Sequence, residues 1–329
     1  MKVLLTGSTG FLGSRILEKL STHEELACTI AAARTERSWR QVIQPNVVYE
    51  FGDLTDPLYV DRIVNGCDAI IHTAALSSPW GTYEDFYRSN VEVQHLLLEA
   101  ARKYGVKRFV YVSTPSMYFE LKDKWLIKES DPLPERFINA YAQTKREAEI
   151  ALEKSSVPFV SIRPRALLGR GDTIIMPRLI RAYEEGKLKI IGTGKNSVDL
   201  TPVSNVADAA ILGLFVDEKG LNQVYNISNG APVELWKKID DVLLKLGKKL
   251  PSKRLPAWLV LGIARAMEIK SKLTNGKEPA LTVYGVGTLT HSFTMDITKA
   301  RQLLGYEPLQ TVDEAIDEFV EWYRTHEEH

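Results

Sequence analysis

Three tyrosines in this chain are each followed, four positions later, by a lysine, a spacing that suits proton transfer. The pairs are Tyr118/Lys122, Tyr141/Lys145 and Tyr183/Lys187. On a helix this spacing puts both side chains on one face, where an ammonium group lowers the pKa of a phenol below its ordinary value of about 10. The first pair lies in a polar loop pattern and the third on a charged, surface-like helix. The second falls on a helical pattern between two core strands, so we assign Tyr141 as a general acid/base supported by Lys145.

A cluster of hydroxyl groups lies upstream of this pair. Ser113, Thr114 and Ser116 follow the predicted fifth strand, at the carboxyl edge where open α/β sheets bind ligands. One of these hydroxyls could hold the oxygen atom of a substrate, although a hydroxyl that ends a strand more often only caps it. The Tyr–Lys helix that follows favours the catalytic interpretation.

The segment Gly7–Gly13 predicts a dinucleotide phosphate site. It has the spacing Gly-x-x-Gly-x-x-Gly and stands between an apolar strand and an amphipathic helix. Glycines allow a tight turn and a close approach of pyrophosphate, while the N–H groups at the helix N-terminus receive the phosphates. The residues expected to contact the cofactor here are Gly7, Thr9, Gly10, Phe11, Leu12 and Gly13.

Short β-branched runs alternate with helical patterns over the first half of the chain. Strands are predicted at Lys2–Thr6, Ala27–Ala32, Val47–Phe51, Ala69–His72, Phe109–Ser113, Val157–Ile162, Leu188–Ile191 and Val224–Ile227, and helices at Leu12–Leu20, Tyr59–Val64, Val91–Tyr104 and Ala140–Lys154. Near-continuous runs of Val, Ile and Leu indicate strands buried on both faces, as in a parallel sheet covered by helices. The predicted fold class is α/β, a doubly wound parallel Rossmann-type sheet with a smaller C-terminal substrate-binding lobe. We predict a dinucleotide-binding domain at 1–164 and the lobe at 165–329, with about 198–228 returning to the first domain.

The glycine spacing, with Thr6 before it, resembles the extended branch of the short-chain dehydrogenase/reductase superfamily, the epimerase/dehydratase type. The resemblance implies that Lys145 also binds the nicotinamide ribose and that Tyr141 borders the cofactor. It aligns Thr114 with the catalytic hydroxyl, with Ser113 facing cofactor or backbone. Further cofactor contacts that it implies are Asp53, Leu54, Thr73, Ala74, Ala75, Ser113 and Pro164.

Position 34 bears on the form of the cofactor. NAD enzymes usually carry an acid here, bonded to a ribose hydroxyl, whereas Arg34 offers a forked cation suited to a 2′-phosphate. Arg37 and Ser38 could assist. The alternative is that Arg34 is a solvated loop residue. We therefore expect NADP(H) to be favoured over NAD(H).

Several segments resemble the 3β-hydroxysteroid dehydrogenase-like group, and within it the 2-alkyl-3-oxoalkanoate reductases of bacterial long-chain olefin synthesis. They are 74–83, 111–116, 163–172 and 191–199. The resemblance implies reduction of a ketone to a secondary alcohol on an apolar or fatty β-keto acid, or on a 3-keto steroid-like substrate. Candidate substrate contacts are Trp80, Ser116 and Arg165, and Trp258, Leu259, Leu261 and Met267 could line an apolar cleft or belong to the core. Arg170 and 202–204 depart from the group's pattern, which could alter the pocket.

Two other functions stay open at this point. A sugar-nucleotide epimerase or dehydratase would share the fold and the Tyr–Lys pair, but a dehydratase would need an Asp-Glu pair where Pro115 and Ser116 stand. An epimerase tends to retain NAD and would favour an acid at position 34. A non-catalytic dinucleotide sensor would not need Tyr141 and Lys145 on one helix face.

Charge, cysteine content and the length of apolar runs indicate which partners and which cellular location to expect. A formal net charge of zero gives no general field for nucleic acid, and we expect none to bind. Cys28 and Cys67 have no metal-ligand or redox spacing, so we predict no metal and a reducing cytoplasm. No run is long enough for a membrane span; Ala257–Met267 predicts a helix packed in the protein or lining its pocket, or one that contacts a membrane surface. By resemblance, the helices at Val91–Tyr104 and Ala140–Lys154 would form a homodimer.

Overall fold

The computed structural model describes residues 1–37, 40–274 and 276–326. Its strands are β1 Lys2–Thr6, β2 Cys28–Ala33, β3 Val47–Phe51, β4 Ala69–His72, β5 Arg108–Val112, β6 Lys124–Ile127, β7 Phe159–Pro164, β8 Leu167–Leu168, β9 Ile190–Ile191, β10 Ser197–Val198, β11 Thr201–Pro202, β12 Gln223–Ile227, β13 Val233–Glu234, β14 Arg254–Leu255 and β15 Phe293–Met295. Its α-helices are α1 Phe11–Ser21, α2 Pro57–Val64, α3 Tyr83–Tyr87, α4 Val93–Lys103, α5 Ala140–Glu153, α6 Ile175–Glu184, α7 Val203–Phe215, α8 Leu235–Lys245, α9 Ala257–Leu273, α10 Val283–Thr290 and α11 Val312–His326.

A seven-stranded parallel sheet forms the centre of the molecule. Its strand order is β12-β7-β5-β4-β1-β2-β3, and every neighbouring pair is parallel. The chain runs outward from β1 to β3 and then returns to place β4 on the other side of β1. A crevice therefore opens outside the carboxyl ends of β1 and β4, the place where doubly wound sheets bind ligands. The predicted fold class is confirmed.

Helices cover both faces of this sheet. On one face α1 and α7 pack together, and their apolar side chains join those of β1 and β7 in one buried cluster. On the other face α2, α4 and α5 contribute to a second cluster with β4 and β5. Inner strands such as β1 and β4 are buried from two sides, so their sequences are mostly apolar rather than alternating, whereas the edge strand β3 is only partly buried.

The remaining elements form the second lobe over the carboxyl edge of the sheet. A four-stranded sheet in the order β13-β10-β15-β6, two short strand pairs and the helices α6, α8, α9, α10 and α11 make up most of it. Two segments cross the predicted division at residue 164: β6 pairs with β15 in the lobe, whereas β12 pairs with β7 in the central sheet. The division itself stays a prediction.

Several observed elements differ from their predicted bounds. The predicted helix Val91–Tyr104 begins with a π-helical segment at Arg88–Glu92, and its α-helical part ends at Lys103. The predicted strand Leu188–Ile191 is reduced to Ile190–Ile191. The apolar segment after Pro256 forms α9, which continues to Leu273. No helix in the described part of the chain is long and apolar enough to cross a membrane.

Candidate active site

Tyr141 and Lys145 lie on the first turns of α5, beside the carboxyl end of β5. The helix begins cleanly because the Asn139 side chain accepts a hydrogen bond from the Ala142 N–H at 2.9 Å, a strong N-cap. The Lys145 side chain is 2% exposed, and its Nζ donates to the Val112 carbonyl at 2.6 Å. The same Nζ lies 4.1 Å from the ring centre of Tyr111. The ammonium group is thus fixed at the end of β5, one helical turn from the Tyr141 phenol.

Burial controls the protonation of this pair. It lowers the pKa of Lys145 to about 7, and the Glu149 carboxylate one turn further along opposes that shift. Burial also raises the pKa of Tyr141, while hydrogen bonds with Ser77 and Thr114 pull it back down. The prediction that the neighbouring ammonium leaves Tyr141 with a lowered pKa is therefore wrong for this structure, because desolvation of the phenolate outweighs the groups that favour it.

A chain of hydroxyl groups extends from Tyr141 into the second lobe. Thr114 lies beside the phenol, and its Oγ1 donates to Oγ of Ser116 at 2.9 Å. Ser116 Oγ lies 2.8 Å from the phenol oxygen of Tyr284, at the start of α10. Thr114 also accepts the Ser116 N–H at 3.2 Å, and Pro115 between them begins a short 3-10 turn. Thr114 is therefore found next to Tyr141, and Ser116 lies one hydrogen bond further from it.

A buried ion pair joins α5 to strand β7 of the central sheet. Arg163 on β7 donates to the Glu149 carboxylate from Nε at 3.0 Å and from Nη2 at 2.6 Å. Both side chains are at most 4% exposed. Although burial raises the pKa of Glu149, the Arg163 cation more than offsets it and the net pKa is lowered; Ser113 contributes to the same effect. Ser113 thus faces Glu149, so Glu149 stays ionised one turn from Lys145.

The two other Tyr–Lys pairs have different surroundings. Tyr118 ends a 3-10 turn, donates to the Glu129 carbonyl at 3.0 Å and contacts Arg163, while Lys122 pairs with Glu120 on the surface. Tyr183 lies near the end of α6, and Lys187 lies beyond that helix, paired with Glu185. Neither pair lies on one helix face next to the crevice.

The glycine loop closes over the carboxyl end of β1 as predicted. Gly7 has φ of +72°, and a Cβ there would lie 2.7 Å from Thr73 Oγ1 and 2.9 Å from the Ala74 nitrogen; a Cβ on Gly13 would lie 2.0 Å from the Gly7 carbonyl. No side chain caps the first turn of α1, and no acid lies within it. The N–H groups of that turn have no intrahelical acceptor, which fits an anion such as a pyrophosphate.

The floor of this crevice is held by polar side chains of β1 and β4. Thr6 Oγ1 lies 2.7 Å from His72 Nδ1, and Thr73 Oγ1 donates to the Thr6 carbonyl at 2.7 Å. Burial lowers the pKa of His72 to about 3, with repulsion from Lys145 acting in the same direction. His72 is therefore neutral and structural. Thr73 and Ala74 are half-buried and Ala75 is exposed at the crevice.

The predicted adenine and ribose contacts meet at the β2 and β3 side of the crevice. Arg34 and Asp53 are both exposed and close enough to interact. The Thr55 N–H donates a hydrogen bond to the Asp53 carboxylate at 2.9 Å, and this bond does most to lower the pKa of Asp53. The Arg88 and Arg34 cations lower that pKa further. Leu54 follows, half-buried. Arg37 is exposed nearby in sequence, whereas Ser38 lies outside the described residues.

The candidate substrate contacts are dispersed. Trp80 Nε1 donates to the Gly276 carbonyl at 2.8 Å, so the loop after β4 contacts the segment after α9. Arg165, which follows Pro164, is 7% exposed and stacks over the Phe293 ring at 4.6 Å; it faces the lobe interior. Trp258 is 74% exposed and Leu259 40% exposed, so they do not line a closed cleft, whereas Leu261 packs in the lobe core.

Sequence reasoning missed three residues at this site. Tyr284 and Ser77 each border the catalytic hydroxyls. No motif surrounds Tyr284, and Ser77 lies within the resembling segment 74–83 but was not singled out. Arg40 is 5% exposed and donates to the carbonyls of Thr9 and Gly171 at 3.2 and 2.5 Å. Arg40 follows β2, close in sequence to Arg34 and Arg37, so a role near the cofactor could have been suspected, but its partner in the second lobe could not.

Comparison with known proteins identifies the family. The model of the NAD dependent epimerase/dehydratase family matches residues 3–228. The chain belongs to this family. A 2-alkyl-3-oxoalkanoate reductase of Stenotrophomonas maltophilia is 31% identical over 327 residues, covering 96% of this chain and 97% of the relative. A 3beta-hydroxysteroid-dehydrogenase/decarboxylase (isoform 1) of Arabidopsis thaliana is 31% identical over 339 residues, covering 95% of this chain and 77% of the relative.

Solved structures agree on the fold. The Bordetella bronchiseptica enzyme WbmH in complex with NAD+ has a TM-score of 0.77 at 22% identity, with 99% of each chain covered. The UDP-glucose 4-epimerase of Thermotoga maritima has a TM-score of 0.75 at 22% identity, again with 99% of each chain covered. The family model and the relatives confirm the predicted family. They also confirm the predicted enzyme class, an NAD(P)-dependent oxidoreductase that acts on ketone and alcohol groups.

Proposed function

We propose that this family member is an NADP(H)-dependent reductase that converts the ketone of an apolar β-keto acid, or of a 3-keto steroid-like compound, to a secondary alcohol. The observation that carries the proposal is that Tyr141 lies beside Thr114 and one helical turn before the buried Lys145. An acid, a hydroxyl and a cation then border one point at the end of β5. That is the set of groups needed to hold and protonate a carbonyl oxygen as hydride arrives.

The roles of the residues follow from their positions. Bound in the crevice, the nicotinamide would supply the hydride. Thr114 would hold the substrate oxygen, and Tyr141 would donate its phenolic proton to it. Lys145, in its charged form and fixed to the Val112 carbonyl, would stabilise the phenolate left on Tyr141 and bond the ribose hydroxyls of the cofactor. In the reverse direction the phenolate would take the alcohol proton.

The preference for NADP(H) rests on Arg34. Its guanidinium is exposed at the end of β2 and lies near Asp53, beside the expected adenosine end of the cofactor. A forked cation there suits a 2′-phosphate. Arg37 would add positive charge. The remaining cofactor contacts would be Gly7, Thr9, Gly10, Phe11, Leu12, Gly13, Leu54, Thr73, Ala74, Ala75 and Pro164, whereas the side chain of Ser113 faces Glu149.

The substrate class rests on the relatives together with the apolar surroundings of the crevice. Phe86 lies 6.2 Å from the Tyr141 ring, and Phe119 packs against Tyr284 at 5.4 Å. Trp80 and Ser116 would contact the substrate. Arg165 would act on a substrate carboxylate only if it turned from Phe293, so it is the weakest of the proposed contacts.

The decisive experiment compares two tyrosines. Tyr141→Phe should lower NADPH oxidation with a long-chain β-keto acid by about 10²- to 10⁴-fold, the usual worth of a general acid. Binding of NADPH, followed by protein fluorescence, should change little. The control is Tyr183→Phe, which removes the phenol of a surface Tyr–Lys pair and should keep full activity. Retained turnover in Tyr141→Phe would reject the proposed acid.

A second experiment tests the cofactor. Arg34→Ala should weaken NADPH binding by about ten- to a hundredfold, the value of a charge-assisted hydrogen bond, and leave NADH binding nearly unchanged. Arg102→Ala, which removes an equally charged side chain at the far end of α4, is the control. Tighter binding of NADH than of NADPH by the unaltered protein would overturn the assignment.

A sugar-nucleotide epimerase is the second candidate, since solved relatives of the same fold carry that activity in their names. Screening NADPH oxidation against β-keto acids, 3-keto steroids and UDP-sugars separates the two functions. Conversion of a UDP-sugar without net oxidation of the cofactor would favour the epimerase.

The assembly and location are also proposals. We propose a homodimer through α4 and α5, which pack against each other and carry the half-buried Leu96 and Ile150. Ile150→Glu should shift the sedimentation coefficient from that of a dimer to that of a monomer.

A cytoplasmic location agrees with the free thiols of Cys28 and Cys67, and fractionation of cells would test it.

A further inference from the structure

The helix α9 carries an apolar surface that faces away from the protein. Its inner side, at Val260, Ala264 and Ser271, is buried. At 3.6 residues per turn, residues 258, 262, 269 and 273 align along the opposite side. Trp258 is 74% exposed, Ile269 59% and Leu273 81%, and Gly262 has no neighbouring atom within 4 Å of where a Cβ would lie. Leu259 and Ile263, at 40% and 45% exposed, widen this stripe, which we call the α9 ridge.

Cations border the α9 ridge on both sides. Arg265 and Lys272 lie along one flank and Lys270 along the other, and all three are exposed. Residues 253–273 carry five cations and one carboxylate, in a chain whose net charge is zero. That carboxylate, Glu268, points inward and accepts the Val283 N–H at 2.7 Å. The outer surface of the helix is therefore apolar in the middle and positive at its edges.

We propose that the α9 ridge docks on the surface of a membrane that contains anionic lipids. An apolar strip with a tryptophan, flanked by lysine and arginine, is the pattern of a helix lying in the plane of a lipid interface. The apolar side chains would enter the acyl boundary and the cations would meet lipid phosphates. A second copy of the chain fits less well. A two-fold contact pairs the same surface of both copies and would bring the cations of one copy close to those of the other.

The position of the ridge connects the membrane to the proposed active site. α9 packs against α10, and Glu268 bonds to the residue directly before Tyr284, whose phenol lies 2.8 Å from Ser116. Lys272 on one flank lies 5.7 Å from the ring centre of Trp80. Docking would thus bring the loop and helix that border the crevice close to the lipid surface. The docking itself does not rest on the proposed ketone reduction.

The test is flotation with lipid vesicles. The full chain is mixed with vesicles of phosphatidylcholine alone, or of equal parts phosphatidylcholine and phosphatidylglycerol, and the bound fraction is measured. The unaltered protein should bind the anionic vesicles, and added salt should weaken that binding. The double variant Trp258→Ser with Leu273→Ser should bind at least tenfold less, since each exposed side chain contributes roughly tenfold to partition.

Matched controls separate docking from general stickiness. Leu58→Ser with Leu309→Ser removes two apolar residues that are 81% and 78% exposed elsewhere and should bind as the unaltered protein does. Arg265→Glu with Lys270→Glu should lose binding to anionic vesicles by at least tenfold, whereas Arg102→Glu with Lys154→Glu, of equal charge change, should not. Circular dichroism verifies the fold of each variant.

Three outcomes would overturn the proposal. The unaltered protein could fail to float with anionic vesicles, or the ridge variants could bind as well as their controls. The ridge variants could instead dissociate a dimer, measured by sedimentation without lipid, which would assign the ridge to a second copy of the chain. NADPH oxidation with a water-soluble ketone, measured without vesicles, reports the proposed catalysis separately from all three outcomes.

Discussion

The phenol oxygen of Tyr284 lies 2.8 Å from Oγ of Ser116, although 168 residues separate them in the chain. Ser116 belongs to the end of the central sheet and Tyr284 to a helix of the second lobe. Through Thr114, this contact ties the position of the lobe to the hydroxyl group next to Tyr141. The lobe therefore takes part in positioning the site as well as in covering it.

Tyr284→Phe should lower kcat for ketone reduction by about three- to tenfold, the value of one neutral hydrogen bond, with NADPH affinity unchanged. Ser116→Ala should have a similar effect. Because both substitutions break the same contact, the double variant should lose less than the product of the two single effects. Steady-state kinetics of the four proteins gives the answer. Strictly multiplicative losses would show that the contact does not position Thr114.

Gly13→Ala should abolish cofactor binding and destabilise the chain, since its Cβ would overlap the Gly7 carbonyl at 2.0 Å. Gly262→Ala is the matched control. It replaces a helical glycine whose Cβ would meet open space and should raise the free energy of unfolding by about 0.5–1 kcal/mol. Thermal unfolding and NADPH titration measure both effects. Normal cofactor binding by Gly13→Ala would contradict the close contact.

Glu149→Gln should lower the free energy of unfolding by about 3–5 kcal/mol, because it leaves the buried Arg163 cation with a neutral partner. Glu153→Gln, four residues along the same helix, removes an exposed partner of Arg146 and should cost less than about 1 kcal/mol. Urea unfolding separates the two. Equal small losses would mean that Arg163 is stabilised by other groups.

The rate of ketone reduction should depend on the charge of Lys145. Its pKa of about 7, lowered by burial from 10.5, means that the side chain is charged below that pH and neutral above it. The cation favours the phenolate that forms as Tyr141 gives up its proton. The value of kcat for reduction should therefore fall as the pH rises through about 7, by up to tenfold per pH unit. A profile that stays flat for two units above that value would contradict this prediction.

The central sheet was predictable from sequence because its strands bury both faces. Runs such as Lys2–Thr6 and Ala69–His72 are apolar except at their ends, and their predicted bounds match those observed. Gly7 and Gly13 were also predictable, since their spacing reflects backbone contacts within a few residues. Strand ends were less certain, as at Arg108–Val112, because cross-strand pairing rather than local preference decides them.

The residues of the site could be predicted only where the residues that act together lie close in sequence. Tyr141 and Lys145 share one helix, so their spacing carries the information. The pKa of Tyr141 depends on burial by the whole fold, and a spacing rule could not give its direction. Tyr284 and Arg40 act through contacts with distant segments, which no local pattern records. The exposed side of α9 likewise depends on how the lobe packs.

The strand β12 has a consequence for how the protein is made. Its partner β7 ends at Pro164, but β12 begins only at Gln223, after the first part of the lobe has been synthesised. Without β12, β7 would be an edge strand with unpaired backbone groups, and such edges recruit other strands. A chain that ends before β12 should therefore aggregate more readily than the full chain, because the buried strand β7 would then stand at the edge of the sheet.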